Sequence, residues 1–314
     1  MLVATAPLAL AACSRKRLRP ERLVSVARAL DYSTDLTGIV RRILTEHKVA
    51  VRGKSVVLKP NLVEFSPDVP VNTNPIFVAA VSEAFLSLGA ARVTIAEGPG
   101  HRRVTMELAD NAGFFGAIHG FEEHFVDLNL DDVWPVRLAQ PFSGLNQLYL
   151  PKTALQCDLL VSLPKMKTHH WVGATLAMKN LFGLVPGSVY GWPKNVLHWA
   201  GIDESIADLH QLFPRQFCIV DGIVGMQGNG PILGTPRHAG VLVAGAHPPS
   251  VDATCCRIMG INPSGIRYLD LVARRTGWSP SDVREIGELA DSVYTPFALP
   301  PGFESLRLGN GALV

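Results

Sequence analysis

The sequence predicts an α/β protein, with a mostly parallel central sheet and helices on both faces. Three observations carry this reading. Residues 55–96 spell strand, helix, strand with short connections, the βαβ unit of a parallel sheet. Short apolar runs such as SVVL, CDLLVS and QFCIV read as strands buried on both faces. Several of these runs end in polar or charged residues and glycine, which is where open parallel sheets hold ligands.

The elements follow in order. Ser33–Val49 carries Leu36, Ile39, Val40, Ile43 and Leu44 as a helical stripe, with Ser33, Thr34 or Asp35 as its cap. Ser55–Leu58 is a short buried strand. Asn74–Leu88 is a helix: Asn74 caps it, Pro75 fits its first position and Gly89 stops it. Ala91–Ala96 is the next strand. Met106–Phe115 reads as a helix and Val126–Leu150 as a strand-and-hairpin stretch. Cys157–Ser162 is a strand that delivers the chain to Leu163-Pro164-Lys165. Thr175–Leu181 and Asp203–Leu212 read as helices, and Gln216–Val220 and Gly240–Ala244 as strands. Ser250–Met259 is a helix with Asp252 in its first turn. We read residues 21–314 as one α/β domain, with two lobes at about 51–155 and 156–300 as its natural subdivision.

With 314 residues, 47% of them hydrophobic, the chain can bury a large core. Its 29 Lys+Arg against 27 Asp+Glu argue against a general nucleic-acid binder, which would carry a concentrated basic surface. Any positive field is therefore local. The five cysteines (Cys13, Cys157, Cys218, Cys255 and Cys256) include no CxxC spacing, so neither a zinc ribbon nor a ferredoxin-type cluster can be drawn. Cys255 and Cys256 sit in an apolar run and read as small buried hydrophobes. No apolar run reaches the roughly 20 residues that span a bilayer.

Residues 1–20 form a segment of their own. Met1–Ala12 is apolar, Leu10-Ala11-Ala12-Cys13 matches a bacterial lipobox, and a basic linker follows. On this reading the protein is exported and lipid-anchored through Cys13, its only membrane attachment. No basic region precedes the apolar run, as a signal peptide requires. The alternative is an ordinary N-terminus on a cytoplasmic protein.

The strand ends hold the chemistry. The first gives Lys59-Pro60-Asn61, the second Glu97 to His101, the third Lys165 to His170, and the fourth Asp221-Gly222. Lys165, Lys167 and Lys179 cluster around one strand and one helix, with Lys59 a fourth cation. Lysine is a compact point charge suited to phosphate or carboxylate, so the expected partner is a small anion. His169 and His170 are adjacent and would point to opposite faces of a strand. One of them then serves as acid/base or metal ligand, and the other is structural. His101, Glu97, Asp221 and His198 are the remaining metal candidates. They are scattered, with no HxxxH or HExxH spacing, so a divalent metal stays without a defined ligand set. Gly222–Pro231 carries four glycines but is neither a Walker A sequence nor a clean GxGxxG, and reads as a flexible turn. Asp221 would orient a lysine, bind a metal or cap that loop. Asp252 suits a helix N-terminus. No GxSxG elbow supports serine chemistry.

The set VVLKPNLV, NTNP, ARVTIAEGPG, DLLVSLPKMKTHHWVGATLAMKNLFGLVPG, IVDGIVGMQGNGP and PPSVDATCCRIMG resembles the bacterial and archaeal domain of unknown function 362 family. The resemblance runs from about Val51 to Ile261. It implies an α/β fold and a common site without an established reaction. Relatives often carry ferredoxin-type cysteines, and some are described as iron–sulfur proteins; this chain lacks that run. A redox role would fit those associations, but nothing in this chain supplies an electron carrier. Relatives also often carry export signals. The positions that match the family pattern are Lys59, Asn61, Glu97, Lys165, Lys167, His169, Lys179, Asn180, Asp221 and Asp252.

The leading expectation is an enzyme acting on a small anionic substrate, metal-assisted or not. Lys59, Lys165 and Lys179 hold the anion, and Asn61 and Asn180 orient it. Glu97 and Asp252 complete the binding set. His169 shuttles a proton, with Asp221 or Glu97 supporting it or a metal, and Lys167 serves as a base, since lysine near other lysines has a lowered pKa. The rival is a binding module without turnover. A purely structural protein predicts instead that the lysines are exposed and far apart.

Overall fold

The computed structural model describes residues 22–101 and 104–309. The lipobox reading and Cys13 fall in residues 1–21 and lie outside the described residues.

The strands are β1 (Arg22–Arg28), β2 (Ser55–Pro60), β3 (Arg92–Glu97), β4 (Phe125–Asp127), β5 (Val133–Arg137) and β6 (Gln147–Pro151). They continue with β7 (Leu159–Leu163), β8 (Lys165–His169), β9 (Gly173–Thr175), β10 (Gln216–Gln227), β11 (Thr235–Gly245) and β12 (Val283–Gly287). A ten-stranded sheet follows the order β12-β1-β11-β10-β7-β2-β3-β4, with β8 joined to β10 and β9 to β8. β5 and β6 form a separate antiparallel pair. In the large sheet β11 runs against β1 and β10, and β9 against β8; the other pairings are parallel.

Strand alternation feeds two cores. Val57 packs into one and its neighbours Val56 and Leu58 into the other. The helices Leu36–Glu46 and Pro75–Ser87 cover the second core, and Ile202–Leu212 and Pro248–Ile258 the first. The fold is therefore α/β with helices on both faces. Asp35 caps the helix Leu36–Glu46 through Gly38 N–H, and Asn74 caps Pro75–Ser87 through Ile76 N–H.

Three elements differ from expectation. The helix expected over Met106–Phe115 breaks into Thr105–Asn111 and Phe114–Ala117, because Gly113 takes a left-handed φ of 83° between them. The helix expected over Thr175–Leu181 is one turn, Ala177–Asn180, continued as a 3₁₀ turn over Leu181–Leu184. Most of the expected glycine-rich loop is strand: β10 runs on to Gln227. Gly230, beyond its end, lets the backbone close on the Thr168 carbonyl, where a Cβ would collide. β1 and β12 carried no sequence expectation.

The strand order fixes where a ligand can sit. From β2 the chain builds outward through β3 and β4; from β7 it builds the other way into β10. The order therefore reverses between β2 and β7, which pair with Lys59 opposite Ser162 and Pro60 opposite Leu163. A crevice outside the carboxyl ends of such strands is the expected ligand site of an open α/β sheet.

Candidate functional site

A cavity of about 570 Å³ lies at this switch point. Its walls come from the ends of β2, β3 and β8, from the Lys179 turn, from the segment carrying Lys194 and His198, and from residues 229–233.

Lys59 is fully buried at the end of β2. Its Nζ donates to Glu97 Oε2 at 2.5 Å, Pro60 O at 2.7 Å and Asn180 Oδ1 at 3.1 Å, which uses all three ammonium hydrogens. Glu97 also accepts from Leu62 N at 3.0 Å and Gly98 N at 2.9 Å. Asn180 Nδ2 donates to Lys59 O and Ser162 Oγ, each at 3.0 Å. One network thus ties the ends of β2, β3 and β7 to the Lys179 turn. Burial lowers the Lys59 pKa, with Glu97 pulling against it. Gly183 passes so close that a Cβ there would run into both Lys59 and Glu97.

Three further lysines face the cavity, and none of them forms an ion pair with a carboxylate among the described residues. Lys167 is buried and donates to the carbonyls of Val71 at 2.8 Å and Pro231 at 3.3 Å. Burial, then the neighbouring Lys165 and Lys179 charges, push its pKa well below the ordinary lysine value. Lys194 donates to Gly98 O at 2.6 Å and Phe182 O at 2.8 Å. Burial pushes it down to about 7, with Glu97 opposing. Lys179 Nζ lies 3.7 Å over the Phe182 ring and has no hydrogen-bond acceptor among the described residues. Burial, then the Lys59 charge, pushes Lys179 down to about 7.

The histidines have assignable tautomers. His169 Nδ1 accepts from Trp171 N–H at 3.0 Å, so in the neutral ring the proton is on Nε2. Burial and the Lys179 charge hold its pKa well below 6.5. His170 Nδ1 is 2.7 Å from Gly230 O, and His198 Nδ1 is 3.1 Å from Lys194 O. A carbonyl only accepts, so both rings donate from Nδ1 and keep a lone pair on Nε2. Burial, then Lys179, lowers the His198 pKa. The two adjacent histidines do not diverge. β8 ends at His169, alternation stops, and both rings reach the cavity wall with centroids 5.1 Å apart. His169, with its Nδ1 lone pair engaged, is built as a donor rather than a base.

Two buried wall atoms, Asn61 Oδ1 and Thr175 Oγ1, have no hydrogen-bond partner among the described residues. Buried polar atoms are rarely left so, and each suits a ligand group.

Three expected site residues stand elsewhere. Lys165 and Asp221 pair with each other at 2.5 Å, both side chains buried. Tyr32 donates to Asp221 at 3.0 Å, and Asn74 N–H does so at 3.0 Å. This group borders a second, open cleft of about 390 Å³ that Tyr32 and Lys165 help to line. Asp252 does not cap its own helix, where His247 accepts from Ser250 N–H. It caps the Lys179 turn, accepting from Ala177 N at 2.8 Å and Met178 N at 3.1 Å. Lys194, His170 and His198 complete the cavity. Lys194 left one trace in the sequence: it is the only Lys, Arg, Asp or Glu between Lys179 and Asp203.

Of the metal candidates, His101, Glu97 and His198 reach the cavity wall and Asp221 does not. Among the described residues no three His, Cys, Asp or Glu side chains gather as a metal-holding group. Cys157, Cys218, Cys255 and Cys256 are free and buried. Among the described residues no helix is long and apolar enough to cross a membrane.

The fold and the site define an α/β protein with a lysine-lined cavity at the switch point of a mostly parallel sheet. The chain belongs to the family described as domain of unknown function 362, whose model matches residues 56–257. That span contains every cavity lysine. The thylakoid-associated protein sll1697 of Synechocystis sp. is 29% identical over 238 residues, covering 73% of this chain and 70% of that protein. A solved protein from Thermotoga maritima aligns with a TM-score of 0.46 at 14% identity, covering 73% of this chain and 59% of its own. The lactate racemase apoprotein from Thermoanaerobacterium thermosaccharolyticum aligns with a TM-score of 0.47 at 15% identity, covering 77% and 58%. The chain thus spans less than two thirds of either solved protein.

Proposed function

We propose that the protein binds a small molecule bearing a carboxylate or phosphate in the switch-point cavity and moves a proton on it. One observation carries this reading: Lys167, Lys179 and Lys194 face one cavity and, among the described residues, none forms an ion pair with a carboxylate. Burying ammonium groups without counter-ions is costly, and an anionic ligand offsets that cost. Among the described residues Lys167 and Lys194 have two acceptors each, which leaves one ammonium hydrogen apiece for a ligand, and His169 Nε2–H adds a neutral donor. Lys59 acts through Glu97 and Asn180 as the strut that sets these groups in place. Lys179 and His198 are the proton carriers: burial brings the Lys179 amine down to about 7, and His198 keeps a free Nε2 lone pair on the cavity wall. Were a divalent metal to bind, His170 and His198 would be the residues to hold it, each through a free Nε2 lone pair, and it would supply Lewis-acid polarisation of the ligand.

The test is a thermal-shift screen of the whole chain against inorganic phosphate, small carboxylates, nucleotides and divalent metals. Expected is stabilisation by a phosphate or carboxylate that is lost in Lys179→Met. An intact shift in that variant, or no shift from any anion, overturns the site. Binding without proton exchange at a ligand carbon, followed by NMR in deuterated water, would leave a binding module without turnover.

A further inference from the structure

The four cavity lysines are not equivalent, and the difference names a ligand class. This inference rests on the anion-binding reading of the same cavity. Lys59 has three acceptors, and Lys167 and Lys194 have two carbonyls each. Those contacts point the hydrogens of each amine at fixed acceptors and hold it in place. Lys179 has none among the described residues; its Nζ rests against the face of Phe182 on the cavity wall. A lysine desolvated beside another cation is the arrangement that leaves an amine free to act as a nucleophile.

We propose that Lys179 forms an imine with a small carbonyl compound that also carries a carboxylate or phosphate. The amine nitrogen attacks the carbonyl carbon, and the carbon–oxygen π pair moves to oxygen. One proton passes from nitrogen to that oxygen, giving a carbinolamine. The second nitrogen proton passes to the hydroxyl, which leaves as water while the nitrogen lone pair forms the carbon–nitrogen double bond, and hydrolysis reverses it. No oxidant or reductant is needed.

The surrounding groups match these steps. His198 keeps its Nε2 lone pair and lies within electrostatic reach of Lys179, so it can take and return the proton. The orphan Asn61 Oδ1 can accept from the carbinolamine hydroxyl, and Thr175 Oγ1 can donate to an adjacent oxygen. Lys167 and Lys194 are left for the anionic group. The fraction of free amine at neutral pH follows from the lowered Lys179 pKa of about 7.

Reductive trapping tests the proposal. The whole chain is incubated near neutral pH with pyruvate or with pyridoxal phosphate, reduced with borohydride, and read by intact mass and peptide mapping. Expected is one reduced adduct per chain, on Lys179, suppressed by excess inorganic phosphate and lost in Lys179→Met. Lys179→Arg keeps the charge but not the nucleophile, and serves if the Met variant fails to fold. The wild-type peptide map needs no variant at all. Label on Lys194, or spread over the surface residues Lys48, Lys54 and Lys152, overturns the proposal. Anion-induced stabilisation without any trapped adduct overturns the imine and leaves anion binding standing. Absence of both overturns both.

Discussion

Lys59 Nζ and Glu97 Oε2 lie 2.5 Å apart, each side chain only 1% exposed, and the pair joins the carboxyl ends of β2 and β3 at the cavity wall. Removing one partner leaves the other buried and uncompensated, which costs about 3–5 kcal/mol. Glu97→Leu and Lys59→Met are each expected to lower the unfolding free energy by that amount. The double variant should cost less than the sum of the two. Urea unfolding of the three variants measures the coupling, and strict additivity would show that the two groups do not act as a pair.

Gly183 supports the same pair by having no side chain. Gly183→Ala is expected to push Lys59 and Glu97 apart and to destabilise by about 1–3 kcal/mol, the range for overpacking a filled site. A thermal midpoint equal to wild type would contradict this.

Lys165, Asp221 and Tyr32 predict a contrasting pattern. Asp221→Asn is expected to cost about 3–5 kcal/mol, since it leaves Lys165 buried without its counter-ion. Tyr32→Phe removes one hydrogen-bond donor to Asp221 and is expected to cost about 1–3 kcal/mol. Variants that fold should retain the anion-induced thermal shift. Loss of that shift in well-folded Tyr32→Phe would extend the functional site into the second cleft.

Asp252 predicts action at a distance. Asp252→Ala leaves Ala177 N–H and Met178 N–H without acceptors, at about 1–3 kcal/mol for each buried group. The turn that carries Lys179 then loses its anchor. Anion binding should weaken although Asp252 does not line the cavity. Calorimetry on the folded variant checks this, and an unchanged affinity would show that the turn holds itself in place.

The lowered pKa values of Lys179 and Lys194, both about 7, set a pH dependence with a definite sign. Between about 7 and the ordinary value of 10.5 the unfolded chain binds more protons than the folded one. These groups therefore make stability rise with pH across that window and contribute no slope below it. Binding runs the other way. A simple carboxylate keeps its charge from about pH 6 to 9. Its affinity should fall as pH rises through about 7 and the ammonium groups discharge. Calorimetric titrations of the wild-type chain across the range decide it, and an affinity that holds steady or rises above pH 7 would contradict it.

Much of this was legible along the chain, for physical reasons. Asn74, Pro75 and Gly89 punctuate a helix whose signals are local, so its bounds are close to the observed ones. The short apolar runs fixed β2, β3 and β7, and the polar ends of the first two marked the cavity. Lys59, Asn61, Glu97, Lys167, His169, Lys179 and Asn180 do meet there. Lys165 and Asp221 were misplaced because their partnership depends on strand order. β8 and β10 set them opposite each other in parallel register, which no local pattern reports. Asp252 looked like a cap for its own helix, and the turn it does cap is 75 residues away. Lys194 sits in an irregular segment with a left-handed φ of 70°, outside any period that could have placed it.

The three amines without carboxylates have a consequence for how this protein can be altered. Each charge is a burden on the fold while the cavity is empty. Apolar replacements of matching length would raise the melting temperature while removing the means of holding an anion. Any programme that ranks variants by robustness alone would therefore discard the working groups first. Thermostability and activity should trade against each other in this pocket more sharply than anywhere else on the protein.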